Sequence, residues 1–261
     1  MQTMDIKWTS LAFAYLLLLI PLCIAFFYKI KIISSIWVSV IRMTIQLLLV
    51  GLYLQVIFKL NHWWLNLAWL LVMIVAADLS ILSRCKLRIR FFFISVFIAL
   101  FSGTSIPLFY FAAVVIRLPG LIDAAYFIPL AGMIMGNCLR ADIIGINAFY
   151  SSVKDREKLF LHELSQGASL SEALLPHLRS AVESALSPTV ASMATIGLVA
   201  LPGMMTGIIL GGTSPVTAIK YQIAIMIAIF AGTSLTVTLG ILISRKWAFS
   251  DWGILKPSVF K

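Results

Sequence analysis

Residues 188–222, PTVASMATIGLVALPGMMTGIILGGTSPVTAIKYQ, decide the fold. The stretch is apolar and long enough to cross a bilayer, yet Pro202 and Gly203 interrupt it. Proline removes a backbone donor and frees a carbonyl, which is tolerated at membrane depth only where protein or a water-filled cavity covers it. Pro202, Gly203 and Gly207 are therefore the expected hinge or gate. Gly203 and Gly207 also have the GxxxG spacing that lets helices approach closely in lipid. Directly upstream, residues 151–185 are charged. The two segments read as a membrane gate joined to a cytoplasmic lever.

Composition points the same way. Of 261 residues, 61% are hydrophobic and 11% charged, whereas a soluble domain carries about a quarter charged residues. Several apolar runs reach the roughly 20 residues that span hydrocarbon. The chain is an all-α polytopic membrane protein. The first run, residues 8–28, is long and lacks an AxA-like cleavage site, so it counts as a helix rather than a leader. A net charge of +10 would suggest nucleic acid in a soluble protein; here the excess of Lys and Arg in cytoplasmic loops accounts for it. Cys23, Cys85 and Cys138 are isolated, which implies neither a disulfide framework nor a zinc site.

About seven transmembrane helices are expected, over residues 9–27, 33–58, 65–82, 91–115, 124–149, 187–210 and 215–243, within one permease-like domain spanning 1–261. The fourth is expected to be interrupted at Gly103 and Pro107, and Trp63 and Trp64 fit an interfacial belt. Basic residues concentrate after helices one, three, five and seven: Lys29 and Lys31; Arg84, Lys86, Arg88 and Arg90; Lys154, Arg156, Lys158 and Arg179; Arg245, Lys246, Lys256 and Lys261. That asymmetry places the N-terminus outside and the C-terminus in the cytoplasm.

The connection at 151–186 is the one long charged loop. KDREKLFLHEL mixes charge with Leu159, Phe160, Leu161 and Leu164, as in a helix lying on the membrane face or extending helix five. In GASLSEALLPHLRSA, Ser169 or Ser171 is placed to cap a short helix. Glu172 lies at the capping-box spacing from Ser169, and Pro176 is expected to end or kink that helix. Two readings remain: a solvated interfacial hairpin, or a helix docking in a groove of a cytoplasmic partner. His162 and His177 read as surface or partner contacts.

Five segments together are distinctive: RMTIQLLLVGLYL, PLAGMIMGN, ELSQGASLSEA, GLVALPGMMTGIILGG and SPVTAIKYQI. They resemble the iron-export ABC permease family (FetB type), whose relatives include plant aluminium-tolerance permeases. The resemblance covers almost the whole chain. It implies a permease in the cytoplasmic (inner) membrane, two copies of it, and a separate cytoplasmic ABC ATPase. Glu163, Gly167, Ala168, Ser169 and Glu172 resemble the loop by which ABC permeases engage that ATPase, with a shorter acidic-to-glycine spacing than usual. The chain has no GxxxxGK[ST] phosphate loop, so ATP is expected on the partner and no cofactor on this chain.

Several polar or soft residues lie at membrane depth. Arg42 and Gln46 share a face of helix two, and Asp78 lies at similar depth on helix three. Ionisable groups there are expensive and often functional; the alternatives are an Arg42–Asp78 structural pair, snorkelling, or a transport role. Met135, Cys138 and Asp142 share a face of helix five, and Met204 and Met205 flank the interruption. Thioether and thiolate suit soft ions, while Fe(II) prefers imidazole and carboxylate. These five are the candidate metal contacts, against plain core packing and a repacking methionine surface. No nucleophile–base set is visible at membrane depth, so an enzyme is not expected. The function expected is ATP-driven export of a metal ion, iron by the resemblance. The alternatives are an organic cargo such as a nucleotide sugar, or a scaffold for a partner ATPase that moves nothing.

Overall fold

The structure, a computed structural model, describes residues 7–250 and 252–256; Lys261 of the basic tail lies outside them. It is helical throughout. Helix α1 (Trp8–Ala14), a 3-10 turn (Tyr15–Leu18) and α2 (Leu19–Phe27) make the first span. Then follow α3 (Ile33–Leu60), α4 (Trp63–Arg84), α5 (Ile89–Tyr110), α6 (Ala124–Asp155), α7 (Glu157–Ser165), α8 (Leu170–Thr195), α9 (Gly203–Leu210) and α10 (Pro215–Ala248). Among the described residues, six helical stretches are long and apolar enough to cross a membrane; α8 and α9 are not among them.

The core is a bundle of α4, α5, α6, α8 and α10. Its tightest crossing joins α5 to α10 at two glycines. A Cβ on Gly232 would lie 2.6 Å from the Gly103 carbonyl oxygen, and one on Gly103 would lie 2.7 Å from Cβ of Thr236. A second close approach is at Gly145 of α6, where a Cβ would lie 2.7 Å from Val237 and 3.2 Å from Ala185. In lipid no hydrophobic force draws helices together, so small residues that bring backbones into van der Waals contact set the packing. One end of α6 is held by Asn61, whose side-chain oxygen accepts from the Ala124 amide, and by Asn66, which donates to the Ile122 carbonyl. At the other end, Tyr150 and Ser244 hydroxyls pair at 2.8 Å and Arg245 donates to Ser171.

That second end gathers the charge. Cys85, Lys86 and Leu87 of the α4–α5 loop line a pocket with Asn147, Tyr150 and Lys154 of α6. The basic clusters after α4, α6 and α10 thus share one end of the bundle. The first span and α3 pack loosely against the rest; Tyr53 of α3 meets Trp69 of α4 at 4.1 Å between ring centres, and Tyr15 bonds Thr44.

Three expectations are corrected. The sixth helix does not begin at 187: α8 starts at Leu170 and runs through both Pro176 and Pro188. Each proline costs one backbone hydrogen bond, but Ala173, Leu174, His177, Ala181 and Ala185 bury one face of the helix and hold it together. The fourth helix likewise continues through Gly103 and Pro107 and leaves the α form only at a π turn, Phe111–Val115; Gly103 serves the crossing with α10. Arg42 and Asp78 do not pair. Arg42 is exposed on α3 in a groove with Val38, Ile41, Ile45 and Gln46, while Asp78 is fully buried. α4 turns Asp78 into the bundle, while Arg42 faces outward from α3.

Candidate functional site

The interruption is wider than one dipeptide. Residues 196–202 separate α8 from α9. Ile196 is extended, Gly197 has φ +87°, and the Gly197 amide bonds the Ala200 carbonyl at 2.9 Å. Leu198 and Val199 project outward, 92% and 83% exposed. Pro202 is the N-cap of α9 and Gly203 its first residue. A Cβ on Gly203 or Gly207 would meet nothing within 4 Å, so their open faces have no neighbour within this chain.

Below the break lies a cleft with space of about 200 Å³, between α6, α8 and α10. Asn137 and Arg140 line it from α6, Thr189 and Ser192 from α8, Pro202 from the break and Gln222 from α10. Arg140 stands midway along α6. Neither it nor Gln222 was singled out in the sequence. An arginine within an apolar run is the signal the sequence offers for it.

Met135, Cys138 and Asp142 are all buried on α6. Thr236 of α10 donates to Oδ2 of Asp142 at 2.8 Å, and Cys138 approaches the Gly103 carbonyl at 4.0 Å. Asp142 and Asp78 are electrostatic neighbours. Oδ1 of Asp142 and both Asp78 oxygens are buried without a hydrogen-bond partner. Met204 and Met205 are half-buried on α9, Met204 against the edge of the core. Among the described residues, no group of three or more His, Cys, Asp or Glu is arranged to hold a metal ion.

The lever is a helix–turn–helix. Phe160 of α7 is buried between His177 of α8 and Phe249, with ring centres 6.2 and 5.9 Å away. The turn is a Schellman motif: Ala168 donates to the Glu163 carbonyl and Gly167 to that of Leu164, with Gly167 at φ +95°. Ser169 then caps α8 in a full capping box. Its amide donates to Glu172 at 2.8 Å, and the Glu172 amide returns a bond to the Ser169 hydroxyl. The Ser169 hydroxyl, which also donates to the Glu172 carboxylate at 2.7 Å, and then the Ser169 amide hold that carboxyl below its usual pKa. Glu163, Gly167, Ala168, Ser169 and Glu172 are thus one continuous turn.

His177, expected as a surface or partner contact, is buried within the lever and bonds Ser152 through Nδ1 at 2.7 Å. Burial, then the nearby Arg156 cation, push its pKa below the ordinary value; Glu163 opposes them. The folded lever therefore binds the proton less readily than the unfolded one. Stability is complete above the unfolded pKa of about 6.5 and falls as pH drops through the lower folded value. Amide protection in α7, corrected for intrinsic exchange, is expected to fall between pH 7.5 and 5.5 and to lose that dependence in His177→Gln. A flat profile in the parent protein would contradict it.

A core of tightly crossed helices, a helix broken between α8 and α9, and basic loops gathered at one end together define a polytopic, multi-pass α-helical membrane protein. The chain belongs to the Uncharacterised protein family (UPF0014), whose model matches residues 8–249. It is 36% identical over 238 residues, 90% of each chain, to the "Probable iron export permease protein FetB" of Escherichia coli. It is 33% identical over 195 residues, 75% of each chain, to the UPF0014 membrane protein slr1647 of Synechocystis. It is also 34% identical to the protein ALUMINUM SENSITIVE 3 of Arabidopsis thaliana, over 72% of this chain and 67% of the relative. No solved structure matches.

Proposed function

We propose that this chain is the permease subunit of a two-component ABC transporter that exports iron, using ATP hydrolysed by a separate cytoplasmic subunit. The observation that carries the proposal is the similarity to the Escherichia coli protein named as a probable iron export permease, along 90% of both chains. Two features of the fold support it. The lever presents a capped helix–turn–helix at the basic end of the bundle, which the positive-inside rule assigns to the cytoplasm. The same helix, α8, runs from that lever to the break. The ATPase docks on the turn from Glu163 to Glu172, and two permease copies meet so that protein covers the irregular backbone at 196–202. The protein resides in the cytoplasmic membrane with its N-terminus outside.

The test is ATP-driven movement of Fe(II) in proteoliposomes holding this chain and its ATPase, with other divalent ions and a nucleotide sugar as rival cargoes. Fe(II) transport that disappears when the ATPase is inactivated is the expected result. Coupled hydrolysis stimulated only by the nucleotide sugar would replace iron as cargo, and hydrolysis indifferent to every cargo would leave a scaffold.

A further inference from the structure

We propose that the cleft beneath the α8–α9 break is an oxyanion site, which takes a phosphate or carboxylate group at membrane depth. Three observations converge on it. The first is charge: Arg140 lines the cleft, no acidic side chain does, and Arg140 forms no ion pair among the described residues. Arg140 is exposed on α6 rather than packed within the protein; at membrane depth a guanidinium without a partner is costly, and its planar fork matches a carboxylate or phosphate. The second is Gln222, which lines the same cleft while only 7% exposed. Its amide makes no hydrogen bond with any described residue, and its polar atoms are not sealed off from open space. An amide held there supplies a donor to whatever occupies the cleft.

The third is the helix start. Pro202, the N-cap of α9, lines the cleft, and no side chain caps that helix. The amides of Gly203, Met204 and Met205 are the orphan donors of its first turn, and they carry the positive end of the helix dipole. Broken helices in transporters direct such half-helix starts at anionic substrate groups. Asn137 adds a further donor: its amide nitrogen gives one proton to the Met133 carbonyl at 2.8 Å and keeps a second. Thr189 adds a hydroxyl at the wall.

Size narrows the ligand. About 200 Å³ lies below the roughly 300–1,000 Å³ of pockets for drug-sized molecules. It suits inorganic phosphate or a small polycarboxylate better than a nucleotide sugar. A metal ion crossing here would travel as the complex of such an anion, which accounts for an arginine and no acid cage beside the path. The cargo role rests on the permease reading. The site itself does not, because it is read by binding alone.

The experiment uses the whole chain in nanodiscs of phosphatidylcholine, without an ATPase, titrated with inorganic phosphate and with citrate. Saturable binding by calorimetry is expected for at least one. It should weaken at least tenfold in Arg140→Gln, weaken in Gln222→Leu, and weaken less in Arg140→Lys, which keeps the charge but not the planar fork. A parallel arm replaces the lipid with phosphatidylglycerol and adds no anion. Thermal stabilisation there that Arg140→Gln removes, with no binding of phosphate or citrate, supports an oxyanion site filled by a lipid headgroup and overturns its cargo role. Should Arg140→Gln fail to fold, Gln222→Leu, which alters no charge, decides. Binding unchanged in the variants, or absent in both arms, overturns the proposal. Failure here leaves the iron-transport assay free to succeed, and the reverse holds.

Discussion

Gly232→Leu is expected to abolish recovery of monodisperse protein, and Gly232→Ala to lower its unfolding temperature by several degrees. Even one carbon at this position would stand 2.6 Å from the Gly103 carbonyl oxygen, 3.1 Å from Ile134 and 3.3 Å from Sγ of Cys138. The first neighbour is backbone of α5, so no side-chain rotation relieves the clash and the helices must separate. Overpacking of this kind costs about 1–3 kcal/mol for small additions, against a total of roughly 5–15 kcal/mol for a folded domain. The change also moves Thr236, which sits one turn on and holds Asp142. Gly136→Ala is the control, because a Cβ there meets nothing within 4 Å. Size-exclusion profiles and thermal unfolding of the three variants decide the matter. A Gly232→Leu protein that purifies and melts like its parent would show that α5 and α10 do not cross here.

The same glycines show what could be read from the sequence and what could not. GxxxG spacing marks Gly203 and Gly207 as thin positions, yet they carry no close crossing within this chain: a Cβ on either meets nothing within 4 Å. The close approaches fall at Gly103, Gly145 and Gly232 instead. A glycine's spacing is local, but which neighbour it faces depends on the register between helices far apart in sequence. For the same reason Arg42 and Asp78 were legible as polar groups within apolar helices, and the directions they face were not. Apolar runs, the capping box at Ser169 and Glu172, the Pro202-Gly203 break and the basic loops were all legible. Each is fixed by a few consecutive residues or by bilayer thickness. The cleft was not, since Arg140, Thr189 and Gln222 come from three helices.

Continuity of α8 was hidden for a different reason. Pro176 and Pro188 each argue locally for a helix end, and burial along one face outweighs both. The consequence is mechanical. At 26 residues and 1.5 Å per residue, α8 is a rod of about 39 Å. It carries the capped turn at one end and the broken backbone at the other. A displacement of the turn is therefore expected to reach residues 196–202 along one continuous helix, with Phe160 packed between His177 and Phe249 to hold α7 against it.

Glu163→Lys and Gly167→Trp are accordingly expected to uncouple ATP hydrolysis from transport while leaving the bundle intact. Gly167 stands at φ +95° with open space where a side chain would project, so tryptophan strains the turn and occupies the surface proposed for the ATPase. Glu163 is half-buried and its charge opposes that of Arg156 at His177; lysine there removes that anion and adds a second cation beside Arg156. Coupling between sites is typically worth 1–3 kcal/mol, about 5–150-fold. Cargo flux per ATP in proteoliposomes is expected to fall within that range, with basal hydrolysis retained. Gly167→Asn separates backbone strain from docking, because asparagine tolerates the left-handed conformation at little cost and should transport nearly as well as the parent. Thermal unfolding is expected to stay close to the parent's in Glu163→Lys and Gly167→Asn and to fall only slightly in Gly167→Trp, where the strain is confined to the turn, since none of these side chains enters the core around Asp142 and Gly232. If flux per ATP is normal in both Glu163→Lys and Gly167→Trp, the turn is not where the ATPase acts. The stroke would then have to enter through the α4–α5 loop, whose Lys86 and Leu87 lie against Asn147 and Tyr150 at the same end of the bundle.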